Sequence, residues 1–352
     1  MKNLFLMGLF RSGTSLLSTS LNAHKNIIIG WQPYWIFFKF CRNKFYKEII
    51  KKPFDDDYPM GILEHESEEE RTLFSDIFNM VRINDKDMDL LISQIKAYLS
   101  INEELNNNMK PYRLIDSLNN IQPGSAGHVL TQLLHRLSLS EKKTYEIEKN
   151  YIVGIKEVFC EEYILPILKK QNTVVLHIIR DPRAVVASRN YGKYMELTKS
   201  RYPIFFIIRS WRRTIMNYIL NKDSKKYLMI KYEDFVSKPD KILNKICELL
   251  EVDFSNDILN FDNFRDIMGN KWESNSSFES CAKFNTNSIN KWQKILSSEE
   301  IEVIEYFCQR EIKYLGYNLT TTHFNTDRIY NFKDNTSDIR DWLKKYNFTI
   351  KD

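Results

Sequence analysis

The sequence predicts an α/β fold in three layers, a central parallel sheet between helices, carrying a helical insertion. Three observations predict it. An apolar run, Leu4 to Met7, leads directly into the glycine-bearing stretch Gly8-Leu9-Phe10-Arg11-Ser12-Gly13-Thr14-Ser15. Strand-like runs return after residue 150 and alternate with helical patterns, as in a parallel sheet. Between them, from about residue 54 to 148, apolar residues recur at helical spacing.

Taken in order, the first strand covers Asn3 to Met7. It runs into Gly8 and Arg11 with no long apolar region or small-residue cleavage site, so it reads as a strand rather than a signal peptide. A helix follows over about Thr14 to Asn22, its N-terminus adding unpaired amides and a dipole to the loop. In the insertion, Leu90, Leu91, Ile95, Tyr98 and Leu99 share one helical face, and Val129, Leu130, Leu133, Leu134 and Leu137 share another. Its acidic cluster, Glu64, Glu66, Glu68, Glu69 and Glu70, reads as a solvated face.

The α/β pattern resumes with a strand at Tyr151 to Ile155, a helix at Cys160 to Lys170 and a buried-type strand at Thr173 to Ile179. Another strand, Lys226 to Tyr232, precedes a helix after Pro239 bearing Ile242, Leu243, Ile246, Leu249 and Leu250. A capping box, Ser297-Ser298-Glu299-Glu300, opens a helix that presents Ile301, Ile304, Phe307, Cys308 and Ile312. One domain over 1–317 is expected, with a polar tail over 318–352 holding a short helix at Ser337 to Lys345.

Composition excludes several classes. Hydrophobic residues at 43%, with 22 Phe, 19 Tyr and 6 Trp, exclude a disordered chain, and no apolar run is long enough to span a bilayer. Cys41, Cys160, Cys247, Cys281 and Cys308 are scattered without a C-x-x-C pair, which suits reduced thiols. With no leader in view, a cytoplasmic protein is expected. The six histidines show no ligand spacing, so no metal is expected. A net charge of +5 without a basic tract favours an anionic small molecule over nucleic acid. The oligomeric state is not legible.

The loop has the spacing of the phosphate-binding pattern G-x-x-x-x-G-K-[ST], but Thr14 stands where the lysine belongs. The cation is Arg11, inside the loop, so the site suits a phosphate-like anion and is not arranged to polarise a β–γ phosphoryl bond. A second anion site is expected where strand Thr173 to Ile179 ends in Arg180-Asp181-Pro182-Arg183. Asp181 reads as an N-cap and Pro182 as the first helical residue, which sets Arg180 at the carboxyl end of a central strand and Ser188 two turns into the next helix. Two anion sites on one sheet edge imply a nucleotide with phosphates at both ends of its ribose.

These residues resemble the sulfotransferases that use 3′-phosphoadenosine 5′-phosphosulfate, in the forms carried by Golgi-type carbohydrate and tyrosylprotein enzymes; the missing anchor suggests a bacterial member. The resemblance implies that Arg11, Ser12, Gly13, Thr14 and Ser15 hold the 5′-phosphosulfate. Arg180 and Ser188 would hold the 3′-phosphate and Lys291 would contact donor phosphate, leaving 3′-phosphoadenosine 5′-phosphate as product. It continues through Lys231-Tyr232-Glu233-Asp234-Phe235, the Lys291-Trp292 segment and Leu315-Gly316-Tyr317.

The resemblance further makes Lys156 a catalytic cation at the oxygen where charge builds, against the reading of a solvated lysine at a strand end. Ser277, with Ser276, would assist the same oxygen. Where the family carries a glutamate as presumed base, this chain has Gln32, which accepts no proton in that role. Gln32 would then orient the acceptor, and Glu157, Glu64, His65 and Asp116 are the alternative bases; His24 reads as structural. The expected acceptor is a hydroxyl, most readily on a sugar. Trp31, Tyr34, Trp35, Phe37 and Phe38 suit either sugar stacking or core. A magnesium-dependent small-molecule kinase and a catalytically inactive nucleotide-binding protein are the rival readings.

Overall fold

The computed structural model describes residues 2–56, 58, 60–61, 65–105, 114–140, 151–198, 200–266, 270–273, 278 and 283–334. Its strands, in chain order, are β1 Lys2–Met7, β2 Ile27–Trp31, β3 Arg82–Ile83, β4 Gly124–Ser125, β5 Ile152–Glu157, β6 Thr173–Ile179 and β7 Tyr227–Lys231. Five of them form one parallel sheet in the order β2-β5-β1-β6-β7. Because β1 is central, the loop that leaves it emerges between the ends of β5 and β6, so residues far apart in sequence converge on one edge.

Both faces of the sheet are covered, as parallel pairing requires. Leu4, Leu6, Leu176, Ile178 and Ile230 pack with Leu17 and Leu21 of helix Thr14–Asn22 and Leu243 and Ile246 of helix Pro239–Leu250. The alternate residues Phe5, Met7, Val153, Ile155 and Val175 pack with Phe37 and Phe38 of helix Trp35–Lys44, Leu133 of helix Ala126–Ser140 and Ile164 of helix Ile164–Lys169. Period-two alternation along each strand produces this division.

Several elements differ from the sequence reading. Strand β2 and helix Trp35–Lys44 were not anticipated, because Ile27-Ile28-Ile29 is too short a run to announce a strand alone. Helix Ile204–Asn221 was also missed, since its opening Ile204-Phe205-Phe206-Ile207-Ile208 reads equally as a buried strand. Strand β5 ends at Glu157 rather than Ile155, which brings Lys156 into the strand itself.

In the span read as a helical insertion lie helices Glu68–Phe74, Ile77–Met80, Asp85–Leu105, Leu114–Ser117 and Ala126–Ser140, with β3 and β4 pairing antiparallel. Of the acidic cluster, Glu66, Glu68 and Glu69 are exposed, but Glu70 is buried and accepts a hydrogen bond from Tyr46 Oη at 2.6 Å. Tyr34, Phe37 and Phe38 are fully buried, so packing is their role. The beginning of the tail is also structured: helix Thr326–Tyr330 forms and Ile329 is buried, while the helix expected at 337–345 lies outside the described residues. Cys41, Cys160, Cys247 and Cys308 are free and buried, and Cys281 is outside the described residues.

Trp211 is fully buried and its Nε1–H donates to the Arg180 carbonyl at 2.8 Å, fixing the turn at the end of β6. Trp211→Phe keeps most of the ring and removes that donor. It is expected to cost about 1–3 kcal/mol, the range for an unsatisfied buried acceptor, read as a lower urea midpoint at unchanged slope.

Candidate active site

The loop after β1 is held in a strained shape. A Cβ on Gly8 would stand 2.6 Å from the Ile178 carbonyl, so the chain leaves β1 against the backbone of β6. Arg11 is left-handed at φ 61°, and the Ser12 amide turns back to the Leu9 carbonyl at 3.2 Å. Gly13, at φ 96°, is the N-cap of helix Thr14–Asn22, and a Cβ there would come within 2.4 Å of the Tyr232 ring. Such a conformation persists only where its surroundings over-determine it.

Those surroundings include the second motif. Arg11 Nε donates to Ser188 Oγ at 3.0 Å, so a side chain of the loop reaches a residue of the helix after β6. Arg180 Nη1 donates to the Arg11 carbonyl and Nη2 to the Ser288 carbonyl, each at 3.0 Å. The Tyr232 ring lies 4.3 Å from the Arg180 guanidinium carbon, and its hydroxyl shares a 2.8 Å hydrogen bond with Ser288 Oγ. Asp181 caps helix Pro182–Asn190 through the Arg183 amide, as its place before Pro182 suggested. Arg183 is neutralised by Asp181 and Glu305 and stacks on Trp292 at 4.0 Å, so it serves the frame.

Two buried polar atoms in this cluster have no hydrogen-bond partner, Ser12 Oγ and Arg180 Nε. Both are donors at the carboxyl edge of the sheet, and an anion fits that character. Lys291 lies beside this cluster in sequence, three residues after Ser288, with its Nζ 5.6 Å from the Phe278 ring. Ser15 and Thr14 occupy the first turn of the loop helix.

Lys156 is 4% exposed, with its Nζ donating to Gln32 Oε1 at 3.1 Å and lying 5.1 Å from the Trp31 ring centre. Burial, reinforced by nearby Arg11 and opposed by Glu157, pushes its pKa down to about 8. Gln32 is itself left-handed at φ 49°, its amide bound to the Lys156 carbonyl at 2.7 Å.

The alternative bases fare differently. Glu157 is fully buried, accepts from the Tyr34 amide at 2.8 Å, and is pushed up to about 8 by burial. That shift favours its protonated form, and the carboxyl faces away from Lys156 and Gln32. His65 contacts Tyr46 and Glu70 and lines a groove of ≈ 1030 Å³ with Glu162 and Arg213, whose walls take nothing from the loop or from Arg180. Asp116 falls in helix Leu114–Ser117; Glu64 and Ser277 lie outside the described residues. His24 is buried and its Nε2 is 2.8 Å from the Asp253 carbonyl, which makes it structural. Sequence reasoning ran the resemblance through Tyr232 but gave it no role at this site, and it missed Ser288, which no motif marked.

Fold and edge together define an α/β protein of the P-loop type, whose phosphate loop carries an arginine within it and a threonine in place of the lysine. More particularly, the chain belongs to the sulfotransferase family, whose family model, described as "Sulfotransferase family", matches residues 3–256. Carbohydrate sulfotransferase 2 of Mus musculus is 23% identical over 225 residues, covering 52% of this chain and 42% of that protein. The same protein of Homo sapiens gives the same figures, so the match spans under half of these curated relatives.

Among solved structures, the sulfotransferase domain of the curacin biosynthetic pathway is 16% identical, with a TM-score of 0.51, covering 90% of this chain and 98% of that one. The sulfotransferase domain of the Synechococcus PCC 7002 olefin synthase is also 16% identical, with a TM-score of 0.53, covering 91% and 97%. At these identities the likeness is one of fold.

Gly13→Ala brings a Cβ onto Tyr232 in a left-handed backbone. The expected loss is about 1–3 kcal/mol, measured by chemical denaturation, with the loop displaced from Tyr232 in a crystal structure of the variant.

Proposed function

We propose that the protein transfers a sulfuryl group from 3′-phosphoadenosine 5′-phosphosulfate to an acceptor hydroxyl by in-line displacement. The observation that carries this reading is the contact of the two cation-bearing motifs, Arg11 on Ser188 and Arg180 on the Arg11 carbonyl. One donor carrying phosphates on both sides of its ribose suits a pair of sites so joined. Ser12, Gly13, Thr14, Ser15 and Arg11 would hold the 5′ end; Arg180, Ser188 and Lys291 would hold the 3′-phosphate. When bound, the donor supplies the activated sulfuryl group, and the chain contributes position and charge.

With its pKa pushed down to about 8, Lys156 as an ammonium beside Gln32 would offset charge on the leaving oxygen. The Gln32 carboxamide, tied to Lys156 through its oxygen, has its nitrogen left for orienting an acceptor. Ser277 would assist the same leaving oxygen. The helices within 54–148 shape the acceptor side, and a carbohydrate or glycoconjugate is the favoured acceptor, supported by the distant likeness to a carbohydrate sulfotransferase. Among the described residues no helix is long and apolar enough to cross a membrane. A cytoplasmic location, where the donor is made, is the favoured one and is supported by the buried free thiols.

Calorimetry tests the donor. Titration with 3′-phosphoadenosine 5′-phosphate is expected to show tight binding and ATP weak binding, and Arg180→Ala should lose more than about 2 kcal/mol of the first. Preference for ATP with magnesium-dependent phosphate transfer would establish the kinase, and donor binding without sulfation across a broad acceptor panel the inactive protein. The pH profile tests the lysine: its ammonium is present below about 8 and lost above, so kcat/KM should fall as pH rises through that value. A profile flat from pH 7 to 9, on the order of one unit either side of that midpoint, removes Lys156 from the reaction.

A further inference from the structure

Glu157 is a buried carboxyl that the mechanism above does not use. It follows Lys156 in β5, so the two side chains leave opposite faces of the sheet. Lys156 goes to the face with Gln32 and Trp31; Glu157 goes to the face packed by the helical layer, where Tyr34 is fully buried. There Glu157 Oε1 accepts the Tyr34 amide at 2.8 Å, while Oε2 is buried without a partner.

The turn Gln32-Pro33-Tyr34 is therefore fastened at three points. The Gln32 amide is bound to the Lys156 carbonyl at 2.7 Å, the Tyr34 amide to Glu157, and Tyr34 Oη donates to the Leu133 carbonyl at 2.5 Å in helix Ala126–Ser140. Gln32 stands in left-handed backbone at φ 49°, a shape that lapses once its restraints are removed. From that backbone its carboxamide meets Lys156 Nζ. An apolar side chain would fill the Glu157 site without the cost of burying a carboxyl, so packing alone does not account for it.

We propose that Glu157 is a positioning residue: by holding the Tyr34 amide from the far side of β5 it fixes the Gln32 turn and keeps the Gln32 carboxamide on Lys156. This role rests on the sulfotransferase reading for its kinetic consequence and on geometry alone for its structural one. The same contact joins helix Ala126–Ser140 to the lysine, because Tyr34 is bonded to both Glu157 and Leu133.

The test is a double-mutant cycle on the full chain with Glu157→Ala, Gln32→Ala and both together. Glu157→Ala is expected to lower kcat by about tenfold while leaving affinity for 3′-phosphoadenosine 5′-phosphate within about twofold. Glu157→Gln, which keeps an acceptor oxygen for Tyr34, should restore kcat. In the Gln32→Ala background the second substitution should cost nothing further. Effects that simply add, or Glu157→Gln as poor as Glu157→Ala, overturn the role.

Two readouts need no donor: hydrogen exchange at the Tyr34 amide, and the rate at which a small amine reagent modifies Lys156, followed by mass spectrometry. Both should rise in Glu157→Ala and stay at wild-type values in Glu157→Gln; no change in either overturns the proposal. If they respond while the wild-type chain transfers no sulfuryl group, the positioning stands and the assigned reaction falls. Should Glu157→Ala fail to fold, Glu157→Asp, one methylene short of Tyr34, replaces it in every arm.

Discussion

A short circuit of hydrogen bonds holds the edge of the sheet together. Trp211 Nε1 donates to the Arg180 carbonyl, Arg180 Nη1 to the Arg11 carbonyl, and Arg11 Nε to Ser188 Oγ. Ser188 lies on the helix that begins just after Arg180, so the circuit closes on itself. Each link uses a donor to satisfy a buried or half-buried acceptor, and breaking one leaves the next without its reason for place. The left-handed Arg11 is tolerable because Arg180 Nη1 donates to its carbonyl, and the Tyr232 ring packs against the Arg180 guanidinium.

Charge is distributed with the same consistency. Arg180, before the helix, and Arg183, in its first turn, have opposite surroundings. Arg183 is enclosed by Asp181 and Glu305 and is neutralised; Arg180 meets carbonyl oxygens and an aromatic face, which leave its positive charge uncompensated. Lys156 likewise has an amide oxygen where a carboxylate would neutralise it. Arg180 and Lys156, gathered with Arg11, make that edge a place for a polyanion.

Much of this was legible because it is local. The loop glycines, Asp181 as a cap before Pro182, and the capping box at Ser297 are written in consecutive residues, since their physics acts over one turn of chain. What was not legible depends on pairing. Gln32 and Lys156 stand out separately in the sequence, but they meet because β2 pairs with β5, and a three-isoleucine run does not declare its partner. Tyr232 and Ser288 reach Arg180 only through the order of β6 and β7 and a segment that folds back over them. Helix Ile204–Asn221 is hidden for a different reason: a run buried on several sides carries no period.

The region after residue 256, beyond the span of the family match, is stitched into the base of the Arg180 turn. Tyr317 Oη donates to Glu233, whose other oxygen holds the Asp181 amide; Lys231 Nζ reaches the Leu315 carbonyl, and Arg183 the Asn318 carbonyl. Thr320 and Thr321 close around Glu305. The family match and the hydrogen-bonded frame of the Arg180 turn therefore end at different places. Anyone excising a minimal fragment, or exchanging modules with a relative, has to cut beyond Thr321, or the strut beneath the cation is left in the discarded piece.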